Sequence, residues 1–179
     1  MNEIVIRKAE VRDALDMATV QSFSWKNAYS GILPADVLDQ KIAGIPDYAE
    51  HLRVTIPTTN HLVAEVDSKI VGVSSYSKSR DPNFANVGEI RSIYILPEFQ
   101  RRGVGKKLFL AGIKGIIELG YDEMMLNALK DNKNAIGFYK EMGGKIVGEK
   151  SSIFGSQQVT EVVVKFDNLK NILEDNMER

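Results

Sequence analysis

Short apolar runs separated by polar turns dominate the chain, and their spacing switches between the two-residue period of strands and the three-to-four-residue period of helices. Ile4-Val5-Ile6-Arg7-Lys8-Ala9 reads as a first strand, and Val11 to Phe23 as a helix with Leu15, Ala18 and Phe23 at helical spacing. Trp25 to Pro34 gathers aromatics before a turn and reads as irregular and surface-facing, after which Pro34 opens a short helix from Ala35 to Lys41. Pro46 to Pro57 reads as an exposed helix or loop of mixed charge. His61 to Val66 and Lys69 to Tyr76 flank Asp67-Ser68 and predict a hairpin. Glu89 to Leu96 is a β-branched strand stopped by Pro97. Val104, Leu108, Ala111, Gly112, Gly115, Ile116 and Leu119 then recur at helical steps up to Gly120. Met124 to Leu129 is another strand, Asn134 to Met142 a short helix closed by Gly143-Gly144, and Lys145 to Val147 with Val159 to Phe166 a second hairpin-like element. The polar tail is expected to fray over residues 170–179.

This order predicts an α/β (α+β) fold, a mixed and mostly antiparallel sheet of six to seven strands with helices on both faces. The helix between the Glu89 strand and the Met124 strand makes a right-handed crossover, so those two strands should be parallel neighbours. A ligand would enter near their C-terminal ends. With 179 residues and no long linker, residues 1–179 are expected to form a single domain. Val159 to Phe166 is an apolar edge candidate along which two copies could pair as a homodimer.

Charge and composition narrow the chemistry. The 23 Lys and Arg nearly balance the 24 Asp and Glu, giving a net charge of −1, so no bulk field draws the chain to nucleic acid or an anionic membrane. Cysteine is absent, which removes disulfides, thiolate metal sites and thiol nucleophiles. His51 and His61 lie in no metal-binding spacing and no metal is expected. The absence of a signal-like or spanning apolar stretch suggests a soluble, cytoplasmic protein.

The sharpest local signal is Gln100-Arg101-Arg102-Gly103-Val104-Gly105-Lys106-Lys107, between a strand and a helix. Four cations and two glycines at a helix N-terminus make a pyrophosphate cradle, because unpaired amides and the helix dipole favour an anion and glycine lets it approach the backbone. The alternative is a tight turn beside a solvated basic face. The Walker loop would need glycine at Gln100 and the dinucleotide fingerprint a small residue at Leu108, so both of those patterns fail.

From Glu89 to Lys107 the chain resembles the central motif of the GNAT acetyltransferases, with Gln100, Gly103 and Gly105 matching its glutamine-and-glycine pattern. Asp131 to Gly144, containing Asn132, Ala135 and Phe138-Tyr139, resembles the family's second signature, departing from it at Gly144, where many relatives carry an aromatic. The resemblance implies the GNAT fold with a splayed parallel strand pair, and acetyl-CoA as donor of an acetyl group to a primary amine of a small molecule or peptide, by direct attack. It further implies that the main chain of Ile93, Tyr94 and Ile95 pairs with the pantetheine arm and that Gln100, Arg101, Arg102, Gly103, Val104, Gly105, Lys106 and Asn132 contact the cofactor. Tyr139 corresponds to the family's general acid, the alternative being an aromatic packed beside Phe138. Glu89 stands where some relatives carry a catalytic base, a position read as lying on the same strand face as Ile95, the alternative being an exposed acidic residue or a water chain in its place. Trp25 and Tyr29 are candidates for an aromatic wall around the substrate amine or for core packing. A non-catalytic acyl-CoA-binding or sensing module is the rival function.

Overall fold

The computed structural model describes residues 3–177. Its strands are β1 (Val5–Lys8), β2 (Asn60–Val66), β3 (Lys69–Lys78), β4 (Gly88–Ile95), β5 (Met124–Leu129), β6 (Lys145–Phe154) and β7 (Gln157–Phe166). The helices are α1 (Ala14–Tyr29), α2 (Ala35–Ala43), α3 (Ile45–Thr55), α4 (Val104–Glu118), α5 (Lys133–Glu141) and α6 (Leu169–Met177). The strands form one mixed sheet in the order β1-β2-β3-β4-β5-β7-β6. The expected parallel pair is present: β4 runs alongside β5 with Gly88 opposite Met124 and Glu89 opposite Met125, and that register goes no further. On its other side β5 stays paired with β7 from Met124↔Phe166 to Leu129↔Glu161, so the parallel strands part while the antiparallel ones do not.

Two compact units make up the chain, one of residues up to Ser75 with Ser92–Gly112, the other of Tyr76–Arg91 with Ile113 onward. In the first, Ala14, Met17, Ala18 and Val20 of α1 and Ala49 and Leu52 of α3 bury against Val63, Ile70 and Val73 of the sheet. The start of α1 is fixed by charge: Arg7 of β1 donates to both carboxylate oxygens of Asp13 (2.6 and 3.0 Å) and to Glu65 of β2 (3.0 Å), while Asp13 also accepts from the Glu10 amide at 2.8 Å. The β2–β3 turn sets Asp67 and Ser68 at φ of 50° and 61°, the mirror-image turn that suits the twist of a two-residue hairpin. In the second unit, Val87, Met125 and Val163 form a small core under Phe84.

Four expectations need correction. The apolar stripe of α1 is not Leu15, Ala18 and Phe23: Leu15 and Phe23 are exposed, and the buried line runs Ala14, Met17, Ala18, Ser22, Trp25. Serines in that line hide it from a hydropathy count, although the 3.6-residue period is intact. Trp25 to Tyr29 is not irregular but the last turns of α1. Residues 169–177 do not fray. Leu169, Ile172 and Leu173 repeat at helical spacing within α6; Leu169 is fully buried and its amide donates to the Asp122 carbonyl at 3.0 Å. Finally, β7 is not an edge, because β5 and β6 flank it; the edge strand at that end of the sheet is β6, with Ile146, Val147 and Ile153 exposed.

Candidate active site

In the first unit, the loop following β4 is built to leave amides free. The Leu96 amide donates to the Val71 carbonyl at 2.9 Å, holding the end of β4 to β3. Pro97–Phe99 then make one tight turn, and the Gln100 side-chain amide donates back to the Ile95 carbonyl at 3.2 Å. Gln100 therefore fastens the loop to β4. Arg101 and Gly103 take left-handed backbone angles, with φ of 59° and 86°. The bond from the Lys107 amide to the Gly103 carbonyl, 3.1 Å, is the one that enters α4, so the amides of the preceding turn point outward unpaired. Nothing lies within 4 Å of where a Gly103 Cβ would stand, whereas a Gly105 Cβ would meet the Ile95 Cδ1 at 3.1 Å. Arg101 and Arg102 are exposed, and the Arg102 guanidinium lies 5.5 Å from the Phe99 ring centroid. Open amides, an open approach to the glycine and nearby cations fit a diphosphate by chemistry and by space. Val104 is buried, so only its main chain can meet a ligand.

The main chain of Ile93 to Ile95 forms the end of β4, with Tyr94 packed on the α1–α3 core. Trp25 and Tyr29 meet edge to face at 5.0 Å. The cation over this wall is the protein's own: Lys41 Nζ lies 5.9 Å from the Trp25 ring and 4.8 Å from that of Tyr48. Burial pushes the Lys41 ammonium below its ordinary pKa.

In the second unit, Glu89 is 4% exposed and so is not an exposed acidic residue. Arg80 grips it: Nη2 donates to Oε1 at 3.0 Å, and Nε and the Arg80 amide both donate to Oε2 at 3.2 Å. A carboxylate offers about four acceptor sites, so one remains, on Oε1. The Asn132 Oδ1 accepts from the Ala135 amide at 3.1 Å and caps α5, leaving Nδ2 as the end available to a ligand. Tyr139, on α5, is half-buried beside Phe138, with ring centroids 5.4 Å apart. The space that a side chain at Gly144 would need is taken by Val164 and Phe166, at 2.6 and 2.7 Å from the Cβ position. That accounts for the departure from the motif at this residue.

A Cβ at Gly88 would strike Ile116 of α4, so its neighbour Glu89 points away from that helix. At the other end of β4, the Ile95 side chain lies against Gly105. Arg80, Lys41 and Tyr48 gave no sign of their roles in the sequence. Asn127 was not singled out either, although as the one amide within Met-Met-Leu-Asn-Ala-Leu it interrupts an apolar run.

The sequence profile of the Acetyltransferase (GNAT) family matches residues 25–144. The chain belongs to the GNAT family. As a member it is an acetyl-CoA-dependent N-acetyltransferase. Among its GNAT relatives is YuaI, an uncharacterized N-acetyltransferase of Bacillus subtilis, 24% identical over 93% of this chain and 94% of that one. Another is the spermidine N(1)-acetyltransferase of Thermoplasma acidophilum, 26% identical over 84% of this chain and 94% of the relative. The fold is shared with the crystal structure of PaiA N-acetyltransferase from Thermoplasma acidophilum in complex with coenzyme A, with a TM-score of 0.75, 25% identity and coverage of 92% and 99% of the two chains. Among the described residues no cluster of three metal-binding side chains occurs, and no helix is long and apolar enough to cross a membrane.

Proposed function

We propose that this GNAT enzyme acetylates a primary amine of a small molecule or peptide by direct attack on the thioester that acetyl-CoA supplies. The carrying observation is the Gly103 loop, whose amides are unpaired and whose approach is open. In this reading the amides of Gly103 to Lys106 hold the diphosphate, with Arg101, Arg102 and Lys106 adding charge. The main chain of Ile93 to Ile95 pairs with the amide-bearing arm as a strand would, and Asn132 contributes its Nδ2. Glu89 takes the amine's proton through its one remaining acceptor site, directly or by way of water. The Tyr139 phenol returns a proton to the departing thiolate, and Trp25 and Tyr29 wall the acceptor. No covalent enzyme intermediate is expected, since the chain has no cysteine and its sequence shows no Ser–His arrangement. A pair of copies joined at a sheet edge would use β6, and sedimentation equilibrium would read it.

The test is calorimetric titration with acetyl-CoA, followed by a thiol-release assay over polyamines, amino acids and peptide N-termini. Binding with release on at least one primary amine supports the reading. Binding without release on any amine would leave an acyl-CoA-binding module instead, and no binding would overturn the donor site.

A further inference from the structure

The geometry of β5 points to Asn127 as a residue that binds the acceptor amine and selects primary over secondary amines. This rests on the acetyl-transfer reading and names a chemical class for its acceptor site. Asn127 is half-buried, its strand neighbours Met125, Leu126, Ala128 and Leu129 are buried, and its Oδ1 is sealed from solvent with no hydrogen-bond donor. An amide oxygen so placed is costly, and an apolar side chain there would carry no such cost. A half-turn about χ2 brings that oxygen to the open end of the side chain.

The sheet register says what stands beside it. Glu89 is opposite Met125 in the parallel pair, and Asn127, two residues on, falls on the same face. The register with β4 ends at Met125, so Asn127 is the next residue on that face beyond the paired stretch, with Val163 of β7 on its other side. Two oxygen acceptors, one charged, thus lie diagonally on a face otherwise formed by Met125, Val163 and Val87. A ligand arm pairing as a strand would lie in the plane of the sheet, whereas these side chains project out of it.

During transfer the amine lone pair forms the N–C bond, the C–S bond breaks with its electron pair on sulfur, and the amine's surplus proton leaves toward Glu89 while the thiolate gains one. Positive charge grows on nitrogen as the bond forms, so its N–H groups become stronger donors and the bond to Asn127 tightens toward the transition state. A neutral primary amine has two N–H groups, one for each acceptor; a secondary amine has one.

The experiment pairs Asn127→Leu, which keeps the branching and removes the acceptor, with Asn127→Asp, which keeps an acceptor. Both are assayed on the best primary amine and on its N-methyl counterpart. For Asn127→Leu the expectation is a fall in kcat/KM of about 10- to 100-fold on the primary amine, with KM for acetyl-CoA unchanged and the preference over the N-methyl amine lost. Its Tm is expected to rise by about 2 to 8 °C, because a buried orphan has been removed, and Asn127→Asp is expected to retain the preference. A lower Tm for the leucine variant would show that the oxygen serves the fold, and unchanged kcat/KM or unchanged preference would exclude the amine contact; either overturns the inference. If wild type acetylates amines and the leucine variant matches it, this inference alone fails. If wild type acetylates none, the proposed function fails and this inference falls with it.

Discussion

Replacing Gly103 with alanine separates the loop's backbone role from its ligand role. Gly103 sits at φ of 86°, where an L-residue pays about 1–2 kcal/mol. Alanine also restricts the unfolded chain, which returns about 0.4–1 kcal/mol, so the net loss is at most about 1.6 kcal/mol. No steric term adds to this, because nothing stands within 4 Å of the new Cβ. The expected fall in Tm is at most about 6 °C for a chain of this length. Binding should suffer more than stability, since the methyl would stand where the diphosphate must approach the amides, and Kd for acetyl-CoA should rise at least about tenfold. Gly105→Ala is the control: its Cβ meets only the end of the Ile95 side chain, and alanine within a helix is favoured over glycine by about 1 kcal/mol, so its stability should hold. Urea unfolding and calorimetric titration at low and high salt read both quantities. If Gly103→Ala unfolds earlier yet binds acetyl-CoA within twofold of wild type, the loop is a turn and not a phosphate site.

Tyr139→Phe should bind acetyl-CoA as wild type does and lose about 10²- to 10⁴-fold in kcat by thiol release; a loss under threefold would remove the acid role. For Asp13, burial alone would raise the carboxyl pKa, but the Arg7 bonds and the Glu10 amide outweigh it and the value lies below the usual range. Its stabilisation is therefore complete above the unfolded value of about 4 and is lost as pH falls through the lower folded value, and acid unfolding of Asp13→Asn should be shallower than that of wild type over that interval. Gly144→Ala would set a Cβ 2.8 Å from the Tyr139 carbonyl, a backbone atom, and should cost about 1–3 kcal/mol in urea unfolding; an unchanged midpoint would contradict the packing.

What could be read from the sequence was what repeats with a strand or helix period in large apolar residues. Met124–Leu129, the Asp67-Ser68 hairpin and α4 all came through, because each has a periodic run bounded by strong turn or helix signals. The buried face of α1 did not, since Ala14, Ala18 and Ser22 let the helix sit close to the sheet without looking hydrophobic. α6 was masked by its polar residues, although Leu169 at its start is fully buried. The edge position of β6 depends on strand order, which a local pattern does not carry.

The least legible feature is the one that most affects the chemistry. Nothing local in Gly88-Glu89-Ile90-Arg91 marks Glu89 as buried, yet its carboxylate is buried and gripped by Arg80, nine residues earlier. A Cβ at Gly88 would strike Ile116 of α4, so Glu89 points away from that helix, on the face that it shares with Met125. A charge buried by a partner from the loop after β3 follows neither a strand nor a helix period, which is why a hydropathy pattern could not carry it.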